Sequence, residues 1–104
     1  MAQFDVFVNP FGAARRAHPF VVSLQSDLTS DARDQLVAPL VPHASIPTIA
    51  GRLAPIVGFQ GFPHVVLVPA MVGVRSRDLR ASCGSIASAR RPVLAAIDYL
   101  FFGV

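Results

Sequence analysis

The sequence predicts an α+β domain that is mostly β, with a small, mainly antiparallel sheet followed by one C-terminal helix. Residues 3–79 hold short apolar runs, and Gly, Pro, Ser and Asp separate these runs as turn residues do. Residues 80–104 change to a helical spacing of apolar side chains. The 104 residues, 53% hydrophobic and 14% charged, suit a single domain over residues 1–104 with apolar surface left for a partner or a second copy.

The first two strands are predicted at residues 3–9 and 19–25. In the first, Phe4, Val6 and Val8 alternate with the other side chains, which indicates a strand with one mostly buried face. The second is apolar almost throughout. It is therefore expected to be buried on both sides or to lie in a dimer interface.

Four more strands are predicted at residues 35–42, 52–59, 62–69 and 70–79. Pro39 indicates an edge strand or a bulge, because proline cannot donate a ladder hydrogen bond. Residues 58–63 are expected to form a hairpin turn. The 22 uncharged residues 53–74 are long enough to span a bilayer, but their three prolines and the strand-like VVLV favour two buried strands, so no membrane partner is expected.

The helix is predicted from apolar side chains spaced i, i+4, i+7 and i+11, namely Val93, Ile97, Leu100 and Val104. Pro92 suits the first turn of a helix, so the helix is expected to begin near this residue or to bend there. Ser85 or Ser88 is a candidate cap for an earlier start. Gly103 is expected to end the helix.

Charge and cysteine content bear on the compartment and the partners. The formal net charge of +3 comes from nine arginines without lysine and six aspartates without glutamate. The base composition of the genome is the favoured explanation, and a basic nucleic-acid surface is the alternative. Cys83 stands alone, so no internal disulfide is possible. This fits a reducing compartment, and since the first residues carry no signal-peptide pattern, a cytoplasmic location is expected.

No residue pattern indicates a metal site or a known catalytic motif. The three histidines are widely separated and lack neighbours in ligand spacing, and no G-x-S-x-G sequence is present. His64 is expected to be a hydrogen-bonded core or interface residue. Asp78, Arg75 and Arg77 beside His18 are an acid–base group of the kind that RNA cleavage needs, but a solvated strand end is the favoured interpretation.

The segment AAIDYLFFGV (95–104) is apolar and aromatic where chain ends are usually solvated. Burying Phe101 or Phe102 fully would contribute roughly 1.5–3 kcal/mol each. From these residues alone two interpretations stand equally. Either the rings fill a dimer interface or the chain's own core, or they form a binding hot spot for a partner.

Three segments resemble the CcdB family of plasmid- and chromosome-borne toxins, namely FVVSLQSDL (20–28), LVAPL (36–40) and AAIDYLFFGV (95–104). The resemblance implies an SH3-like, partly open barrel with a terminal helix, and a homodimer. It implies a toxin without cofactor or catalysis that binds the A subunit of DNA gyrase and traps the enzyme on cleaved DNA. A CcdA-type antitoxin with a disordered segment that folds on binding would neutralise it. Sequence-specific binding of nucleic acid by the toxin alone is not implied.

The same resemblance implies contact residues for both partners. Those for gyrase are expected to be Leu28, Thr29, Asp98, Phe101, Phe102, Gly103 and Val104. Those for the antitoxin are expected to be Leu28, Thr29, Asp98, Phe101 and Phe102. The best-known member has Trp at the position of Phe102, Asn at that of Asp98 and an aliphatic residue at that of Thr29. Because Phe is a weaker cation–π partner than Trp, weaker gyrase binding is expected.

A second interpretation stays open. The MazF and Kid toxins share this barrel but cut mRNA, and Asp78 and His18 are the residues that such an endoribonuclease would need here. Cleavage of RNA in a cell-free mixture would distinguish the two activities.

Overall fold

The computed structural model describes residues 2–26, 33–46 and 51–103. Within them the chain forms one antiparallel sheet of seven strands and one α-helix. The strands are β1 (Asp5–Val8), β2 (Phe20–Ser23), β3 (Asp34–Pro42), β4 (Ile56–Phe59), β5 (Phe62–Val66), β6 (Val72–Arg75) and β7 (Gly84–Ser85), and the helix is α1 (Arg90–Phe102).

The strands lie in the order β4-β5-β3-β2-β1-β7, and β6 also pairs with β3. One edge of β3 pairs with β2, whereas its other edge pairs with β6 over residues 34–37 and with β5 over residues 40–42. Because β3 changes partner along one edge, the sheet branches and curls until it nearly closes into a barrel. The predicted class, α+β and mostly β with a partly open antiparallel barrel and a C-terminal helix, is confirmed.

β1 and β2 are buried on both faces because the curled sheet encloses two apolar cores. Val6 and Val22 belong to the larger core, which α1 covers. Phe7 and Val21 belong to a smaller core with Val37, Val74 and Leu79. Burial of residues 19–25 on both sides is thus confirmed. The single buried face predicted for residues 3–9 is wrong, because Phe7 is only 3% exposed whereas Val8 is 46% exposed.

Pro39 was expected to mark an edge strand or a bulge, but β3 is the central strand of the sheet. The carbonyl of Pro39 accepts a hydrogen bond from the backbone N–H of Leu67 on the β5 side. In a strand the N–H and C=O of one residue point to the same edge. The missing N–H of Pro39 therefore falls in the gap between β6 and β5, where the central strand needs no donor.

The predicted hairpin is present, with Gln60 and Gly61 connecting β4 to β5. Their φ angles of 53° and 81° are the positive values that a tight two-residue hairpin turn requires. The strand predicted at residues 52–59 begins only at Ile56, because a turn closed by a Gly51–Ala54 bridge precedes it. No helix among the described residues is long and apolar enough to cross a membrane.

α1 begins two residues before Pro92, so the proline lies in the first turn, where its missing N–H is tolerated. No side chain caps this start, and the expectation for Ser85 and Ser88 is wrong. The hydroxyl of Ser85 instead accepts a hydrogen bond from the N–H of Ala87 in the preceding 3₁₀ turn. Gly103 ends the helix as predicted, with φ of 73° and its N–H donating to the carbonyl of Tyr99 at 3.0 Å.

Candidate functional site

The helix α1 is fixed to the sheet by one face only. Val93 and Ala96 are fully buried in the larger core, and Leu94 and Ile97 pack against it. Each residue turns the helix by about 100°, so positions 98 and 102 point away from this buried face. Position 101 lies on the side of Leu94 and Ile97, yet Phe101 is exposed in the last turn. The last helical turn is therefore held rigidly at its base while its outer side chains face solvent.

Two aromatic rings of this turn are exposed. Phe101 is 62% exposed and Phe102 is 74% exposed, and the exposed Asp98 lies between them around the helix axis. Large apolar side chains that are grouped together and exposed typically mark interaction surfaces. Of the two interpretations of the tail, burial of these rings in the chain's own core is wrong. A dimer interface and a docking surface for another partner both remain compatible with their exposure.

An apolar groove continues this surface towards the start of the helix. The groove is lined by Gly51, Arg52, Pro55, Pro92 and Ala95. Residues 92, 95, 99 and 102 follow one another on one side of α1, because they are spaced three or four apart. The guanidinium of Arg52 lies 3.8 Å from the centre of the Tyr99 ring, a cation–π contact that places a positive charge at the groove's edge.

The exposed end of the helix and the groove beside it form one surface, which combines apolar area with two opposite charges. This α1 surface consists of Arg52, Pro55, Pro92, Ala95, Asp98, Tyr99, Phe101 and Phe102. Among the described residues the ion pair observed joins Arg75 to Asp34, and Asp98 takes part in none. An exposed aromatic pair beside an unpaired carboxylate offers a partner both an apolar anchor and a salt-bridge position.

The structure brings together four of the seven predicted contact residues. Asp98, Phe101, Phe102 and Gly103 occupy the last turn of α1 and its end. Leu28, Thr29 and Val104 lie outside the described residues. The groove beside the helix was not anticipated from the sequence, because it depends on Arg52 and Pro55 from a turn that was expected to be a strand.

The four residues considered for RNA cleavage are only partly assembled. Arg75 pairs with Asp34 across β6 and β3, at 3.7 Å between Nε and Oδ1. Arg77 and Asp78 share a pocket with Arg15 and Arg80, whereas His18 is not among the residues that line it. An acid and a base are thus not placed together at one point of this pocket.

The remaining candidates for chemistry have structural roles. His64 is 4% exposed, its Nδ1 lies 3.0 Å from the carbonyl of Phe62, and its ring packs edge-on against Phe59, so the predicted core role is confirmed. Cys83 is exposed as a residue, yet burial of its sulfur raises the pKa of the thiol, and the thiol donates to the carbonyl of Val6. In the described part of the chain no three His, Cys, Asp or Glu residues form a cluster that could hold a metal ion.

A search of curated proteins finds no match to this chain. The family described as CcdB protein matches residues 3–103, which is almost the whole sequence. The match agrees with the barrel, the terminal helix and the resemblance of the three segments noted above. The chain therefore belongs to the CcdB family, the toxins of toxin–antitoxin modules.

Proposed function

We propose that this toxin acts by binding the A subunit of DNA gyrase through the end of α1, and that it thereby traps gyrase on cleaved DNA. The observation that carries the proposal is the exposure of Phe101 and Phe102 on a helix that Val93 and Ala96 anchor in the larger core. The contact residues are Asp98, Phe101, Phe102 and Gly103, together with Leu28, Thr29 and Val104.

The rigid base of the helix supports this role energetically. A partner that buries an exposed Phe ring gains roughly 1.5–3 kcal/mol, and ordering costs reduce such gains when the ring is flexible. Here α1 is already fixed by Val93 and Ala96, and Gly103 ends it in a defined conformation. The two rings are therefore presented at low entropic cost.

The Phe at position 102 is expected to weaken, but not to abolish, the contact with gyrase. In the best-known member of the family, the Trp at this position stacks on an arginine of gyrase. Trp is the strongest aromatic partner for a guanidinium. Phe102→Trp should therefore tighten binding to the gyrase A subunit several-fold.

A CcdA-type antitoxin is proposed to cover the same surface. Its contacts are Leu28, Thr29, Asp98, Phe101 and Phe102, and the basic net charge of +3 suits an acidic segment. Tyr99 is the sole tyrosine and the chain has no tryptophan. An antitoxin segment lacking both residue types should therefore protect the emission of Tyr99 from acrylamide quenching, and it should release gyrase from the toxin.

The toxin is further proposed to act as a homodimer in the cytoplasm without catalysing a reaction. The large share of hydrophobic residues and the exposed apolar side chains support a second copy of the chain as a partner. Analytical ultracentrifugation should give twice the mass of one chain at micromolar concentration.

A gyrase cleavage assay tests the main proposal. Wild-type toxin should accumulate linear DNA from supercoiled plasmid in the presence of gyrase and ATP, whereas Phe102→Ala should lose most of this activity. Phe62→Ala is the matched control, because Phe62 is 69% exposed but lies on the β4–β5 hairpin. Equal activity of Phe102→Ala and wild type would contradict the proposal.

The same samples also test the endoribonuclease alternative. Wild-type toxin should leave a cell-free transcript intact. RNA cleavage that Asp78→Ala abolishes, without gyrase-dependent DNA cleavage, would replace the proposed function by that alternative.

A further inference from the structure

We propose that a second site, separate from α1, binds the phosphate group of a nucleotide. The site is a cavity of about 170 Å³ between the loop after β1 and the segment after β6. It is lined by Val8, Pro10, Arg15, Arg77, Asp78 and Arg80, and is called here the arginine pocket. The contacts proposed above for gyrase and for the antitoxin include none of these residues.

One wall of the arginine pocket is organised by the buried Asn9, which is 3% exposed. Its side-chain amide donates to the carbonyl of His18 at 2.9 Å, and its side-chain oxygen accepts from the N–H of Phe11 at 2.9 Å. Asn9 thereby closes the loop over residues 9–18. The carbonyl of Asn9 also accepts a hydrogen bond from Nε of Arg15 at 2.6 Å. This bond holds the guanidinium by its Nε, while Arg15 stays exposed and lines the pocket.

The opposite wall is fixed by the buried Leu79. Its side chain is 7% exposed in the smaller core, and its N–H donates to the carbonyl of Ser76 at 3.1 Å. Arg77 and Asp78 precede this anchor and Arg80 follows it, and all three are exposed. The segment therefore presents two arginines and one aspartate to the pocket that Arg15 also lines, from a backbone that Leu79 anchors in the smaller core.

The charges of the pocket favour a doubly negative anion. Arg15, Arg77 and Arg80 against Asp78 give three positive charges and one negative charge, a net of +2. None of these four side chains takes part in an ion pair within residues 2–26, 33–46 and 51–103. Guanidinium groups donate paired hydrogen bonds to phosphate oxygens. A phosphate monoester carries close to two negative charges at pH 7, and two successive phosphodiesters of a strand carry the same total.

Two neighbouring features favour a nucleotide over a simple inorganic anion. Asp78 accepts hydrogen bonds, so it suits a sugar hydroxyl or a base amino group beside the phosphate, whereas it repels an acidic peptide. Phe11 does not itself line the pocket, but it follows the lining residue Pro10 in sequence and is 50% exposed. Exposed aromatic rings that accompany basic sites are typical stacking platforms for bases.

Fluorescence anisotropy with a labelled single-stranded dT10 at low salt tests the site in the full-length protein. AMP and inorganic phosphate serve as unlabelled competitors. Arg77→Ala and Arg15→Ala should each weaken binding by roughly tenfold or more, since each removes charge-assisted hydrogen bonds. Arg16→Ala is the matched control, because Arg16 is an exposed arginine of the same loop that does not line the pocket. It should change affinity by less than about twofold.

The competitors identify the source of the phosphate. Displacement of dT10 by AMP shows that the pocket accepts a free nucleotide, and binding of dT10 that AMP does not displace shows that it accepts the backbone of a strand. Three results would overturn the proposal: no binding of dT10, an equal loss with Arg16→Ala and Arg77→Ala, or a tetra-aspartate peptide that binds as tightly as dT10. Circular dichroism checks the fold of each variant. The gyrase assay reports on the α1 surface separately, so the two proposals can fail independently.

Discussion

Replacing Gly84 with alanine should destabilise the fold through a clash with one core ring. Gly84 lies in β7 with φ of +154°, a value that L-residues with a side chain rarely adopt. A Cβ atom at this position would lie 2.7 Å from Cε1 of Phe59. The Phe59 ring makes edge-on contacts with the rings of Phe20 and His64. In both contacts the ring centroids are 5.3 Å apart. It therefore cannot move away without disturbing the larger core.

The magnitude follows from two separate costs. The unfavourable φ contributes about 1–3 kcal/mol, and overpacking the core around Phe59 contributes about 1–3 kcal/mol more. The free energy of unfolding should therefore fall by roughly 2–6 kcal/mol, a large share of the roughly 5–15 kcal/mol typical of a domain. Gly73→Ala is the matched control, because a Cβ at Gly73 in β6 meets nothing within 4 Å. It should change stability by less than about 1 kcal/mol.

Urea unfolding followed by circular dichroism measures both variants. In a Phe59→Leu background, Gly84→Ala should cost less than it does in the wild type, because the ring edge that causes the clash is gone. The reasoning would be refuted if Gly84→Ala unfolded at the same urea concentration as the wild type. It would also be refuted if the Phe59→Leu background left the cost of Gly84→Ala unchanged.

Three further predictions concern α1 and the cysteine. Phe101→Ser and Phe102→Ser should each change the free energy of unfolding, measured in urea, by less than about 0.5 kcal/mol, because both rings are exposed. Val93→Ala should cost roughly 1–3 kcal/mol, because Val93 is buried. Equal losses for the three variants would place the rings in the core. Gly103→Ala should lower the free energy of unfolding by about 1–2 kcal/mol, since alanine is disfavoured at φ of 73°. A urea unfolding curve that matches the wild type would show that this glycine is not needed. Burial raises the pKa of the Cys83 thiol, so less thiolate is present at a given pH. Iodoacetamide should therefore alkylate the folded protein more slowly at pH 8 than the urea-unfolded protein, and an equal rate in both states would contradict this.

Local patterns in the sequence predicted much of the fold. The spacing of Val93 and Ile97 predicted the buried face of α1, and Gly103 marked its end. Gln60 and Gly61 lie in the turn that was predicted to join two strands. These features depend on neighbours within a few residues, where spacing and turn chemistry decide the outcome.

The features of the fold that were not predicted depend on contacts between segments that are distant in sequence. Phe7 is buried only because the sheet curls and brings Leu79 over its second face, and alternation along β1 does not contain that information. Pro39 was expected to mark an edge strand or a bulge, but it lies where β3 changes partner from β6 to β5. The two-residue strand β7 is too short for any periodicity to indicate it.

The candidate sites also differ in how much of each could be predicted from the sequence. Asp98, Phe101 and Phe102 were proposed as contacts by resemblance. The exposure of Asp98 and Phe102 follows from helix geometry once one face is buried, whereas the exposure of Phe101 does not. The arginine pocket joins Arg15 to Arg77, which are 62 residues apart in sequence. The clustering of arginines in twos and threes was visible in the sequence, but the buried Asn9 that positions Arg15 was not.

The central claim is that the exposed end of α1 is a docking surface for the gyrase A subunit. Isothermal titration calorimetry of the purified A subunit with wild type, Phe102→Ala and Phe62→Ala tests it most directly, with stability measured in urea for each variant. The account predicts measurable binding by wild type and Phe62→Ala and at least a tenfold loss with Phe102→Ala at unchanged stability. It would be contradicted if neither the wild type nor Phe102→Trp bound the A subunit, or if Phe102→Ala bound as tightly as the wild type.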